Sequence, residues 1–343
     1  MRKARRSGRV TLAEVAREAD VSAITVSRAL RDPEQVSKAT MERIDAAVRK
    51  LGYAPDMAAR ALASRHTNVI GVLIPSVTNN VFSDVLRGIY DALDGTRYHL
   101  QLGNTRYSVL EEENLLRIFL SQRPAGLIVS GIDQSPATRA ILENANCPVV
   151  QIMETGPDPV DMMVGFSHRE GAKAAVAHLA EAGYRRIAFL GARMDPRTQR
   201  RLQGYQDALK QYGLGEDADL IVTTPRSSSV TLGGWLFGEL VSRRPDVDAV
   251  FCNNDDIALG VLFEAQRRNI AVPHALGVCG FNDLEMMASA CPSLTSLRTH
   301  RERMGREGID MLIRAIEDDR PEERVVDLGF EVMRRESSTG PAR

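Results

Sequence analysis

The chain has 343 residues, 43 % of them hydrophobic, and a formal net charge of −1 at pH 7. That length exceeds what one hydrophobic core serves, so more than one packed unit is expected. No window of about 20 apolar residues occurs, which excludes a membrane-spanning helix. The basic start, MRKARRSGRV, has no apolar run behind it, so it is not a secretory signal and the chain reads as cytoplasmic.

The near-neutral total hides an asymmetry. Residues 1–66 hold 14 Lys+Arg against 8 Asp+Glu, a surplus of +6, and the remaining 30 and 37 leave −7. A basic head on an acidic body points to a head that meets a polyanion, although residues 1–9 alone also fit a solvated arm.

In the head, Thr11 followed three residues later by Glu14 is a capping-box signature ahead of Val15, Ala16 and Ala19. Ser22 can cap a second helix with apolar Val26, Ala29 and Leu30, which Asp32-Pro33 ends. Ser37 starts a third helix, 38-KATMERIDAAVRKLGY-53, with Gly52 as its stop. The segment 55-PDMAARALASR-65 suits a helix of two turns, marginal alone in water.

From residue 68 short apolar runs alternate with amphipathic ones. The strand-like runs are 69-VIGVLIP-75, 98-YHLQLGN-104, 125-AGLIVSG-131, 148-PVVQIM-153, 187-IAFLGA-192, 219-DLIVTT-224, 248-DAVFCNN-254 and 276-LGVCGFND-283. Helix-like stretches between them include 82–93, 110–122, 170–183, 199–213 and 256–269. This βα alternation predicts parallel sheets covered by helices, and roughly a dozen strands are too many for one ordinary sheet. Two doubly wound α/β subdomains are expected behind a small all-α head. The four cysteines form no CxxC pair and read as reduced structural thiols. No histidine pair at metal spacing, GxSxG, HExxH or phosphate loop occurs, so neither an enzyme nor a metal or other cofactor is expected.

Two helices separated by 19-ADVS-22 describe a helix-turn-helix, whose second helix would offer Ser22, Ala23, Ile24, Thr25 and Arg28 to the major groove. Arg28 can fork onto guanine, Ser22, Thr25 and Ser27 can donate to phosphates, and Ala23 and Ile24 can touch thymine methyls. The same pattern fits a plain helical hairpin packing core on core.

The run 10-VTLAEVAREADVSAITVSRAL-30, continued by 36-VSKATMERIDAAVRKLGYAPDMAARALAS-64, resembles the head of the LacI family of bacterial transcription regulators. The resemblance rests on VS-x-x-TVSR, the third helix and the L-G-Y-x-P-D segment. It implies Ala23, Ile24 and Arg28 as major-groove readers and Thr11, Ser22, Thr25, Ser27, Ser37, Thr40 and Tyr53 as phosphate contacts. It makes 56-DMAARALA-63, including Ala59, a hinge helix that stabilises by pairing with its dimer mate on bent DNA, with Leu62 as a minor-groove wedge. Many relatives carry glycine where this chain has Asp20, a residue that tolerates left-handed backbone.

The body resembles the periplasmic sugar-binding architecture that this family shares, with a ligand held between two subdomains at strand ends. The resemblance implies a domain order of 1–54 (DNA-binding head), 55–67 (hinge helix and linker) and 68–343. The body would divide into about 68–165 plus 295–325 and 166–290 plus 326–343. After the first strand, Asn79, Asn80 and Phe82 would line the cleft, Phe82 stacking on a sugar face or else serving as ordinary core. The R-L-x-G-Y pattern makes Arg201 a ligand clamp, with Arg193 and Arg197 on the same loop. Asn254 would bond ligand hydroxyls, Asp255 and Asp256 would cap the next helix, and Asn282 and Asp283 would present at the following strand end. Glu154 can accept from ligand hydroxyls or stand as a surface acid.

The stretches 250–268 and 280–283 look most like the gluconate-repressor branch. Converging arginines, and Asn282 where many relatives carry Asp, fit an anion better than a neutral sugar. The resemblance therefore implies a homodimeric, nucleoid-associated repressor that leaves a pseudo-palindromic operator on binding a sugar acid. A neutral-sugar effector, a corepressor mode, or a solute-binding protein without DNA function are the alternatives.

Overall fold

The computed structural model describes residues 10–31, 35–53, 67–215 and 217–341. The chain divides into two compact units, residues 1–67 and 68–343. The expected 55–65 helix, with Ala59 and Leu62, lies outside the described residues.

In the first unit three helices form, α1 (Leu12–Glu18), α2 (Ala23–Arg31) and α3 (Lys38–Leu51). Thr11 and Glu14 complete the capping box: Glu14 N–H donates to Thr11 Oγ1 at 3.4 Å and Thr11 N–H to Glu14 Oε2 at 2.8 Å. Ser22 and Ser37 accept from the N–H of Thr25 and Thr40 at 3.1 and 3.4 Å. The turn between α1 and α2 passes through Asp20 at φ +51, the left-handed conformation that its short polar side chain tolerates. Gly52, at φ +63, closes α3. Val15, Ala16, Ala19, Val26, Ala29, Ile44 and Ala47 are buried together and form the core of the three helices.

The second unit holds two six-stranded sheets. Its elements run β1 (Val69–Ile74), α4 (Asn80–Leu93), β2 (His99–Asn104), α5 (Val109–Ser121), β3 (Gly126–Ser130), α6 (Pro136–Glu143), β4 (Val149–Ile152) and β5 (Met162–Gly165). There follow α7 (His168–Glu181), β6 (Ile187–Ala192), α8 (Pro196–Gln211), β7 (Ile221–Thr224), α9 (Val230–Arg243), β8 (Ala249–Cys252) and α10 (Asp255–Arg267). The body closes with β9 (Gly277–Asn282), α11 (Met286–Ser289), β10 (Thr295–Thr299), α12 (Arg301–Ile316), β11 (Val325–Asp327) and β12 (Phe330–Met333). The sheet orders are β11-β5-β4-β3-β1-β2 and β12-β10-β9-β8-β6-β7. All pairings are parallel except β10 with β12. Strands β3, β4 and β5 are buried along almost their whole length, as sheets covered on both faces require.

Each sheet is the centre of one lobe, and the chain crosses between lobes after Gly165, after Thr299 and after Asp327. The second and third of these lie elsewhere than the expected division, the third because Val326 and Asp327 still pair with β5. Thr295–Thr299, expected in the first subdomain, pairs with β9 (Thr295 beside Cys279) and with β12, so it belongs to the second lobe. Only at Arg301 does the chain return, when α12 lies against α4 and the first sheet. That contact is close: a Cβ at Gly88 would overlap the Glu302 carbonyl, and one at Gly305 would overlap the Val85 carbonyl. An apolar cluster continues through the crossover, where the Phe166 and Phe281 rings lie 6.2 Å apart.

Candidate functional site

Two features of the molecule are candidates for recognition. On the head, the outer face of α2 carries exposed Ser22, Ala23, Ile24, Ser27 and Arg28, with Thr25 half-buried at its start. Ile24 is 72 % exposed, a large aliphatic side chain turned to solvent. Ser22 and Thr25 hydroxyls lie 2.8 Å apart at the N-terminus of α2, and Ser37 donates to Thr40 at 2.9 Å at that of α3. Neither helix has an acidic residue in its first turn. Both N-termini therefore leave a positive dipole end uncompensated, beside hydroxyl donors, an arrangement suited to phosphate oxygens. Thr11 is exposed and Tyr53 half-buried.

In the body, the carboxyl ends of the strands from both lobes face one cleft, the place where doubly wound α/β lobes hold small molecules. Arg201, from α8, lies at its floor. It is 8 % exposed, and its guanidinium stacks 3.9 Å from the Phe281 ring centre. Nε and Nη2 donate to His168 Nδ1 at 3.2 and 3.1 Å, and Nη1 donates to the Asn253 carbonyl. One N–H on each terminal nitrogen is left over. Burial lowers its pKa to about 10, with Asp195, Glu154 and Asp255 acting the other way, so it stays charged at neutral pH. None of these acids is in ion-pair contact with it among the described residues.

Other arginines of the same segment reach across to the first lobe. Arg197 lies 5.9 Å above the Phe82 ring, and Arg193 3.7 Å above that of Tyr107. Arg200 forks onto Asp133 at 2.8 and 2.5 Å, which neutralises it. Asp195 caps α8 by accepting from Thr198 N–H at 2.9 Å. Burial pushes its carboxyl up, but Arg197, Thr198 and Arg201 together hold it below its ordinary value.

Of the residues singled out from sequence, Asn79, Phe82, Arg193, Arg197, Arg201, Asn254, Asp255, Asp256 and Asn282 line this cleft. Asn282 stands at the end of β9 at φ +114, and its Oδ1 is buried with no hydrogen-bond partner among the described residues. Asn254 is itself the cap of α10, accepting from Ile257 N–H at 3.1 Å. The capping role expected of the two following aspartates is thus corrected. Asp255 is fully buried, taking Ser296 Oγ at 2.6 Å and Leu284 N–H at 2.7 Å, and burial raises its pKa to about 7.

Asn80, Glu154 and Asp283 do not line the cleft. Asn80 is exposed because Asn79 takes the cap of α4, accepting from Val81 N–H at 3.1 Å. Glu154 is only 2 % exposed; its Oε1 accepts from the N–H of Thr155 and His168 at 3.2 and 3.3 Å. Burial raises its pKa to about 7 against the pull of Arg200. The Asp283 carboxylate is held by Arg298 and Arg335, at 2.9 and 2.7 Å, away from the cleft. Sequence reasoning missed Tyr107, Asp195, Thr198, Ser228 and Asn253 as lining residues. The Asp195-Pro196 pair was the legible signal among them, a cap followed by proline at the first helical position.

Residues 11–56 match the bacterial regulatory proteins of the lacI family, and residues 176–338 match the periplasmic binding protein-like domain. The chain is 41 % identical over 334 residues to the HTH-type transcriptional regulator GntR of Pseudomonas aeruginosa, covering 97 % of each. A solved LacI-family transcriptional regulator from Silicibacter pomeroyi superposes with a TM-score of 0.89 at 36 % identity, over 96 % of this chain and 99 % of that one. The lac repressor dimer, bound to operator and the anti-inducer ONPF, superposes with a TM-score of 0.79 at 25 % identity, over 96 % and 99 %. Identity sustained through both the head and the two-lobed body places the chain in the LacI family of bacterial transcription regulators, proteins that bind DNA and are not enzymes.

Proposed function

We propose that the chain is a homodimeric repressor that occupies a pseudo-palindromic operator and leaves it when a sugar acid of the gluconate kind fills the cleft. The observation that carries the ligand class is Arg201. A buried guanidinium with two unspent N–H groups, a neutral histidine as partner and no carboxylate in contact asks for an anion. Asn282 and Asn254 add uncharged hydrogen-bonding groups suited to hydroxyls. The similarity to GntR supports the same class.

On the head, Ala23, Ile24 and Arg28 read base edges. Thr11, Ser22, Thr25, Ser27, Ser37, Thr40 and Tyr53 meet phosphates. Dimer formation follows the lac repressor, and a two-fold dimer demands a two-fold operator. We place this work in the cytoplasm, on the nucleoid; no helix among the described residues is long and apolar enough to cross a membrane.

Effector acts only through its differential affinity for the DNA-competent and DNA-incompetent states. The test is a thermal-shift series with D-gluconate, related aldonates, hexuronates and neutral hexoses, followed by operator retardation with and without the best ligand. Aldonates should raise the midpoint by mass action and release the operator. A shift with neutral hexoses alone overturns the ligand class, and tightened operator binding overturns the direction of control.

A further inference from the structure

Two successive residues, Asn282 at the cleft wall and Asp283 just behind it, hold positive φ, +114 and +56. An aspartate tolerates the second of these, as Asp20 does, but φ +114 lies outside that well and a non-glycine residue keeps it only where its surroundings over-determine it. For Asp283 the restraints are its carboxylate, fixed by Arg298 and Arg335, and its N–H, which donates to Ser296 Oγ at 3.0 Å. For Asn282 the restraint comes from the other lobe. Arg301 is the first residue of α12, immediately after the chain has crossed back. Its Nη1 donates to the Asn282 carbonyl and its Nη2 reaches the Asp283 carbonyl at 3.4 Å. The same guanidinium pairs with Asp84 Oδ2, at 3.1 Å from Nε and 2.7 Å from Nη2. Asp84 lies on α4, two residues past Phe82. Arg301 is 7 % exposed.

We propose that Arg301 is a positioning residue for ligand recognition: paired to Asp84, it fixes the Asn282 amide over the cleft at a set distance from Phe82. One planar fork bonded on both sides ties the recognising group of one lobe to that of the other. This rests on the reading of the cleft as the effector site. The buried, unpartnered Asn282 Oδ1 is the group being aimed, and an amide there leaves the charge of Arg201 to the ligand. A lysine at 301 keeps a cation beside Asp84 but cannot make both sets of bonds at once.

The test is a double-mutant cycle on the full chain, with Arg301→Lys, Asn282→Ala and the pair titrated with D-gluconate by calorimetry and melted in parallel. Residues acting through one another are non-additive. Each single change should weaken gluconate binding by about tenfold, and the pair by no more than about twofold beyond Asn282→Ala alone. Asp84→Asn, combined with Asn282→Ala in the same way, repeats the cycle with Arg301 intact should Arg301→Lys fail to fold. Losses that multiply to about a hundredfold in the pair, or gluconate affinity unchanged in Arg301→Lys, overturn the positioning role. Wild-type chain that binds no gluconate overturns the effector reading and this proposal with it; binding with an additive cycle overturns this proposal alone.

Discussion

His168 Nδ1 accepts from Arg201 Nε and Nη2 at 3.2 and 3.1 Å, while His168 Nε2 lies 2.8 Å from the Met153 carbonyl oxygen. Only the neutral imidazole with its proton on Nε2 satisfies both sides. Burial holds its pKa well below 6.5, and Arg201 and Arg197 act in the same direction. Arg201 thereby gains an acceptor without a countercharge, so its positive charge remains for a ligand. Replacing His168 with Leu strips that acceptor and leaves buried N–H groups unpaired, at a cost of about 1–3 kcal/mol in stability. Gluconate affinity should fall at least about tenfold, because the clamp loses its fixed geometry. Melts and calorimetry on the same preparation check this, and full affinity in a destabilised variant would separate the pair from the ligand.

Removing Arg201 itself is the harsher change. Arg201→Ala should weaken gluconate binding by about 2 kcal/mol or more, the range for hydrogen bonds to a charged group. Its effect on operator affinity without effector should be small, since α8 lies in the body. Calorimetry with gluconate and retardation on operator, run side by side, read the two quantities; equal affinity for gluconate would remove the clamp role.

Glu154 carries a pH signature of the opposite sign to that of His168. Its folded pKa, about 7, lies above the ordinary carboxyl value of 4.5. The folded chain therefore binds the proton more tightly than the unfolded one, and stability is lost as pH rises from about 4.5 through 7. His168, with a depressed folded pKa, costs stability as pH falls below about 6.5. Glu154→Gln leaves the histidine contribution common to both proteins and removes only the carboxyl. The variant should match wild type near pH 4 and exceed it at pH 8, by an amount growing about 1.4 kcal/mol per pH unit across the window. Denaturant titrations at the two pH values measure it. A variant less stable than wild type at pH 8 would mean that Arg200, whose Nη1 is 3.6 Å from Glu154 Oε2, outweighs burial.

The long alternation of apolar runs and amphipathic stretches made both sheets and most of their helices readable. The β5 strand escaped because it is four residues long and follows the loop 155-TGPDPVD-161. Strands β11 and β12 are half-exposed and three and four residues long, so pairing with β5 and β10 creates them more than any local pattern does. In the cleft, Arg201 and Phe82 were legible because they sit in recognisable segments at strand ends. Tyr107 was not, since its place at the cleft depends on Arg193 arriving from the other lobe. Asp283 was misplaced for a different reason: at positive φ, adjacency to Asn282 does not say which way the next side chain turns.

The body carries its own core, including Ile70, Phe166 and Phe281, and needs none of residues 1–67 to complete it. A fragment of residues 68–343 should fold, keep its thermal shift with gluconate and lose operator retardation. The same fragment retarding operator DNA specifically would place sequence reading outside α2 and α3.

Arg28 gives the sharpest test on the head. It is exposed on the outer face of α2, one turn past the Ser22–Thr25 cap, beside Ile24 and Ala23, which have no hydrogen-bonding side chains. If bases are read there by hydrogen bonds, Arg28 must carry most of that reading, and a bidentate arginine–guanine contact discriminates by about 1–3 kcal/mol. Arg28→Ala should therefore lose about tenfold to a hundredfold in operator affinity while barely weakening binding to scrambled DNA. Thr40→Val, changing a hydroxyl at the α3 N-terminus, should weaken both DNAs alike, since a phosphate contact carries no sequence. Retardation of operator and scrambled duplex by each variant, at matched salt, separates the roles. Equal losses on the two DNAs for Arg28→Ala would put its guanidinium on the backbone and leave discrimination to methyl contacts and DNA shape.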